Sequence, residues 1–220
     1  MTIDELVHQI EQQIAGRAAL VAVTKTKPVA LLQQAYDAGC RLFGENRVQE
    51  MAEKHPQLPA DVQWHQIGHL QTNKVKYIAP FVSLIESVDS LKLLEEIDKQ
   101  ARRYNRIIDC LLQIYIADEE TKFGLLPEEA IDLLQSPALD GLLNVRITGL
   151  MGIATNTGNE AQIRQEFSAL KQLFDALRPI ERPNVALTEL SMGMSNDYLV
   201  AIEEGSTMVR VGSAIFGNRA

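Results

Sequence analysis

Eight short apolar runs recur along the chain, and a stretch of helical periodicity follows each of the first seven. The runs occupy 20–25, 42–45, 62–68, 82–88, 107–116, 145–153, 186–191 and 207–212, and the helical stretches 29–39, 46–54, 72–79, 90–104, 127–135, 160–178 and 196–204. Strands that alternate with helices build βαβ units, and such units generate a parallel sheet. Eight repeats favour closure of that sheet on itself. The expected fold class is therefore α/β, a single (β/α)8 TIM-type barrel, preceded by an amphipathic helix with Ile3, Leu6, Ile10 and Ile14 at helical spacing.

The 220 residues suit a barrel of this kind in one domain, although two small domains would also fit the length. No Gly/Ser-rich or Pro-rich linker divides the chain, and the longest candidate break, 136–144, carries only Pro137 and Gly141. One domain over 1–220 is the economical expectation. Ordinary punctuation marks several helices: Asp89 or Ser90 before Leu91, Pro127 with Glu128 and Glu129, and Gly39 and Gly205 as stops.

A net charge of −8 opposes a general electrostatic hold on nucleic acid or an anionic membrane, so an anionic ligand needs a local positive site. Cys40 and Cys110 lie far apart and form no CxxC pair, which indicates neither a disulfide framework nor a zinc knuckle and suits a reducing cytoplasm. The opening MTIDELVHQIEQQI lacks the basic and apolar regions of a secretory signal. No apolar run approaches the roughly 18 residues of a membrane span.

The chemistry gathers at the ends of the runs. Alternation puts Val21, Val23 and Lys25 on one side of the first strand, so Lys25 points inward at the C-terminal rim, where barrel proteins place their reactive groups. A partly desolvated lysine there can attack a carbonyl as the free amine and form a Schiff base. A surface lysine in a βα loop is the plain alternative for Lys25 and Lys27. Ser191-Met192-Gly193-Met194-Ser195-Asn196-Asp197 follows the seventh run, and Gly212-Ser213 closes the eighth. Glycines that admit backbone N–H groups, with hydroxyl donors beside them, suit a phosphate, and the loops after strands 7 and 8 are the recurrent phosphate site of this fold. A capped turn would use the same residues.

Arg210 stands in Met208-Val209-Arg210-Val211-Gly212, where a charge is excluded unless paired or functional. Facing a pyridine nitrogen it would donate a hydrogen bond and discourage ring protonation, which limits the ring as an electron sink. A buried ion pair with Glu45 or Glu189 is the other expectation, and the two are compatible. Asn46, after the second run, is placed to hold a ring substituent. His65 and His69 lack metal-site spacing and an accompanying carboxylate cluster, so packing or loop-fixing roles are expected. The acid pairs Glu95-Glu96 and Glu128-Glu129 read as solvated faces.

Together, Lys25, Gly44-Glu45-Asn46, Ile67-Gly68 with Leu70-Gln71 and Asn73-Lys74, Ser191-Met192-Gly193-Met194-Ser195, and Met208-Val209-Arg210-Val211-Gly212 with Ala214-Ile215-Phe216-Gly217 resemble the pyridoxal phosphate homeostasis protein family. The resemblance covers nearly the whole chain. It implies a fold-type III barrel similar to that of alanine racemase, without that enzyme's second β-domain and its tyrosine base, and pyridoxal 5′-phosphate as cofactor. By motif it implies Lys25 as the Schiff-base lysine, Asn46 near the ring, Arg210 opposite the pyridine nitrogen, and Ser191, Met192, Gly193, Gly212 and Ser213 around the phosphate. It implies a monomer with no assigned catalytic reaction, linked to cofactor supply and amino- and keto-acid balance, with apo-enzymes as conceivable recipients. Thr24 stands where many relatives have serine, His69 where proline is frequent, and Phe123 breaks the frequent Lys-Ser-Gly version of Glu120-Thr121-Lys122-Phe123-Gly124. The N-terminal segment is short. An amino-acid racemase or other fold-type III enzyme is the second reading, and a sugar-phosphate barrel enzyme the third; racemisation needs a second base, and no tyrosine falls in a rim motif.

Overall fold

The computed structural model describes residues 1–118, 123–180 and 182–217. Eight strands, β1 (Ala19–Val23), β2 (Leu42–Glu45), β3 (Gln63–Gln66), β4 (Leu84–Val88), β5 (Ile108–Ile114), β6 (Val145–Gly152), β7 (Val185–Met194) and β8 (Met208–Val211), pair in chain order and close, β8 bonding back to β1. All eight pairings are parallel. The barrel expected from the eight runs is present. Around it lie α1 (Ile3–Ile14), α2 (Val29–Asp37), α3 (Val48–Lys54), α4 (Val75–Ile78), α5 (Leu91–Arg103), α6 (Pro127–Gln135), α7 (Glu160–Leu177), α8 (Tyr198–Glu203) and α9 (Ser213–Phe216).

Local chemistry explains the boundaries. Thr2 and Glu5 form a reciprocal capping box at α1, whose buried stripe is Val7, Ile10 and Ile14, so Val7 and not Leu6 faces inward. Ser90 caps α5 through the Leu93 amide, and Pro127 opens α6, as the sequence predicts. Gly39 and Gly205 follow α2 and α8 with positive φ. Residues 137–141, inside the expected loop 136–144, form a 3-10 turn.

Two apolar clusters result. The larger fills the space between strands and helices and includes Leu20, Ala22, Phe43, Trp64, Phe167 and Val209. The smaller, Val21, Leu84, Leu111, Met151 and Met208, plugs the inside of the barrel. Val21 inside and Leu20 and Ala22 outside match the alternation read from the first run. Continuing two residues along β4 and β8 from Leu84 and Met208 reaches Glu86 and Arg210, so the interior changes from apolar to charged toward the C-terminal rim.

Strand β7 departs from expectation. It runs three residues past the predicted end at Ser191, and a bulge lets the step from Ser191 to Met194 match Met208 to Arg210 on β8. The additional residue breaks the alternation. Ser191 stays inside the barrel, whereas Met192 joins the outer cluster. Gly193 packs against α8 at φ +97°, where an added Cβ would lie 2.5 Å from the Ala201 Cβ.

Candidate functional site

One cavity of about 560 Å³ opens at the C-terminal ends of the strands. Lys25 follows β1, Asn46 follows β2, Thr155 and Asn156 follow β6, Ser195 follows β7, and Arg210 with Gly212 and Ser213 closes the wall on β8. Of the residues expected in the site, Lys25, Asn46, Arg210, Gly212 and Ser213 are thus brought together. Ser191, Met192 and Gly193 are not on the wall: Ser191 points into the barrel interior below it, Met192 into the outer core, and the bulge that follows Ser191 sets Gly193 against α8. The loop after β7 reaches the cavity through Ser195, Asn196 and Asp197 instead.

Ser195, part of the Ser/Gly string after the seventh run, is the serine of that string that reaches the cavity. Its Oγ accepts from the backbone N–H groups of Gly212, at 3.1 Å, and Ala214, at 3.4 Å, tying the loop after β7 to the loop after β8. An added Cβ at Gly212 would lie 3.1 Å from the Val23 Cβ, so the β8 end lies hard against β1. Ser195, Gly212 and Ser213 therefore meet on the part of the rim where this fold holds phosphate, with the Ser195 hydroxyl occupying the Gly212 and Ala214 amides in this structure.

Asn46 is fixed from behind. Gln66 Nε2 donates to its carbonyl at 3.0 Å and to that of Gly68 at 2.9 Å. A Cβ on Gly68 would come within 2.6 Å of the Asn46 carbonyl, which accounts for glycine there.

Beneath the cavity lies a buried polar column. Arg210, 3% exposed, donates from Nη1 to Ser191 Oγ at 2.6 Å and from Nη2 to the Gly152 carbonyl at 2.8 Å. Ser191 Oγ donates to Glu86 Oε2 at 2.6 Å, while Glu86 Oε1 meets His65 Nδ1 at 2.8 Å. Glu86 is fully buried, with Arg210 Nη1 3.7 Å from Oε2. The ion partner of Arg210 is therefore Glu86, not the expected Glu45 or Glu189: Glu45 pairs with Lys54, and Glu189 accepts from threonine hydroxyls. Burial pushes the Glu86 carboxyl up, but His65, Arg210 and Ser191 together outweigh it and hold the group below the usual carboxylate range. Burial also draws the Arg210 guanidinium below its ordinary value against the pull of Glu86.

His65 is thus a buried hydrogen-bonding residue of the column. His69 sits 3.2 Å from Asp89 and stacks on Phe123, ring centroids 4.1 Å apart, so the two departures from the family pattern pack on each other. Glu120, Thr121 and Lys122 lie outside the described residues. Among the described residues no group of three or more His, Cys, Asp or Glu side chains gathers as a metal site, and no helix is long and apolar enough to cross a membrane.

The alanine racemase N-terminal domain family matches residues 2–220. The pyridoxal phosphate homeostasis protein of Aquifex aeolicus (strain VF5) is 43% identical over 210 residues, covering 93% of this chain and 90% of its own. The chain belongs to the pyridoxal phosphate homeostasis protein family. PipY of Synechococcus elongatus PCC7942, a solved relative, is 37% identical over 98% of this chain and 100% of its own. It superposes with a TM-score of 0.91 in the structure without PLP and 0.87 in the structure with PLP bound. Alanine racemase from Bartonella henselae shares the fold, at a TM-score of 0.75 and 17% identity over 98% of this chain and 58% of its own.

Proposed function

We propose that this chain binds pyridoxal 5′-phosphate as a Schiff base on Lys25 and holds it in reserve, supporting cofactor supply and amino- and keto-acid balance. The observation that carries this reading is the meeting of Lys25, Arg210 and the Gly212 and Ser195 loops on one cavity wall. Those groups fit the three handles of the cofactor: an amine for the aldehyde, a guanidinium for the ring nitrogen, and amides with hydroxyls for the phosphate. When bound, the cofactor supplies an electrophilic aldehyde and an electron-accepting ring. Lys25 binds the first, and Arg210, kept in place by Ser191, Glu86 and the Gly152 carbonyl, denies the second its ring proton. Asn46 orients the ring edge, and Gly212, Ser213 and Ser195 hold the phosphate, with Ser191, Met192 and Gly193 supporting that loop from behind. PipY, the solved relative with PLP bound, supports the same reading.

The absorption spectrum of the purified protein before and after borohydride reduction, followed by peptide mass analysis, tests it. A band that reduction erases, with the pyridoxyl mass on Lys25, is the expected result. A protein that stays colourless and unmodified in excess pyridoxal phosphate overturns the reading and favours a sugar-phosphate ligand.

A non-enzymatic role is part of the proposal, supported by relatives named as homeostasis proteins and by a cavity wall on which, among the described residues, no tyrosine lies to act as a second base. Tyr198, the buried tyrosine nearest in sequence to the rim, hydrogen-bonds Gln13 of α1. Exchange of the α-proton of common amino acids in deuterium oxide should stay near background. Turnover at enzymatic rates would favour the racemase reading. Handover to apo-enzymes, a monomeric state and a cytoplasmic location complete the proposal.

A further inference from the structure

Lys54 lies on α3, far from Lys25 in sequence, and is only 8% exposed. An ammonium has three donors, and here each finds an acceptor: the Thr24 carbonyl at 2.9 Å, Glu45 Oε1 at 2.6 Å and Glu50 Oε2 at 3.0 Å. Both carboxylates reach onward to the loop after β1. Glu45 Oε1 accepts from the Thr24 hydroxyl at 2.7 Å, and Glu50 Oε2 accepts from the Thr26 amide at 2.8 Å. The residues on either side of Lys25 are therefore both tied to one buried ion cluster.

Thr26 makes the arrangement informative. Its φ is +63°, in the left-handed region that a β-branched residue adopts only at a cost. Its amide is held by Glu50, and Lys54 keeps Glu50 in place. The loop is bent into a conformation its sequence disfavours immediately after Lys25, which lies on the cavity wall.

We propose that Lys54 and Glu50 are positioning residues for Lys25, holding Thr24 and the left-handed Thr26 so that the Lys25 amine is presented to a carbonyl in the cavity. The inference rests on the reading of Lys25 as the cofactor's anchor. Neither residue touches the cavity; each acts through the backbone of the loop.

Full-length protein is titrated with pyridoxal 5′-phosphate, reading the reducible visible band and the borohydride-fixed label on Lys25. Lys54→Met strips two carboxylates of their cation and threatens folding, so Glu50 carries the test. Glu50→Ala is expected to weaken binding through the band about tenfold, while Glu50→Gln, whose side-chain carbonyl still accepts from the Thr26 amide, recovers most of it. Thr26→Gly removes the cost of the left-handed bend, so in that background Glu50→Ala should weaken binding by less than about threefold. A purely structural cluster would lower the unfolding temperature equally in both backgrounds and leave the affinity alone. An unchanged affinity in Glu50→Ala, or an equal loss with and without Thr26→Gly, overturns the positioning role. A wild-type protein without a reducible band on Lys25 overturns the anchor reading itself, and the two failures are told apart by that control.

Discussion

Replacing Glu86 by glutamine should expose how much of the barrel rests on its buried column. Arg210 is 3% exposed and lies 3.7 Å from the Glu86 carboxylate. At an effective dielectric near 20 a pair at that range attracts by about 4 kcal/mol, and a buried charge stripped of its partner costs about 3–5 kcal/mol. Arg210 keeps its bonds to Ser191 and the Gly152 carbonyl, so the lower half of that range, about 3–4 kcal/mol, is expected. For a chain of this size that is a fall in Tm of roughly 6–16 °C. Calorimetry with urea titration measures it. In an Arg210→Met background the same substitution should cost only about 1 kcal/mol, because no buried cation is left to strand. Equal costs in the two backgrounds, or a single-variant cost under about 1 kcal/mol, would refute the reasoning. The pH dependence gives a second check. The folded Glu86 carboxyl lies below its ordinary value, so its contribution is fully present above the usual carboxylate range and disappears as pH falls through the lowered folded value. The gap between wild type and Glu86→Gln should close in that acid window.

Gly149 faces Glu189 across β6 and β7, and an added Cβ would sit 1.8 Å from the Glu189 carbonyl oxygen. Gly149→Ala must push the two strands apart and should cost at least about 3 kcal/mol in urea unfolding, whereas a cost under about 1 kcal/mol would show that the barrel relaxes freely there. Cys40, whose thiol burial pushes up to about 12, and the fully buried Cys110 should resist a thiol reagent in the native protein at pH 8 and react fully in denaturant. Rapid native labelling of either would contradict their placement. Glu45 titrates in the opposite sense to Glu86: burial raises its carboxyl more than Lys54 and Thr24 lower it. Stability should therefore decline as pH rises from the ordinary carboxylate value through the raised one, a decline that Glu45→Gln removes from the urea midpoint.

Much of the architecture was legible in the order of apolar runs, because period-2 and period-3.6 burial are local properties that any chain displays. A charge inside a strand must be explained, which singles out Arg210, and Glu86, in phase with Leu84 within VSLIESV, carries the same signal. Its partnership with Arg210 is not legible there, because sequence says which charges are inside but not which strands face one another across the barrel. The β7 bulge could not be anticipated. It depends on matching β7 to β8, and it re-aims the residues that follow Ser191.

The sequence by itself determined the eightfold βα order, the inward phase of Val21 and Arg210, and the rim as the place where Lys25, Asn46 and Gly212 arrive. These follow from short-range periodicity and from the sterics of L-residues. Tertiary structure decided the pairing of Arg210 with Glu86, the entry of Ser195 in place of Ser191, and the burial of Lys54 against the loop that carries Lys25. Such contacts join residues far apart in the chain, and only closure of the barrel fixes the distances at which charges and hydrogen bonds select their partners.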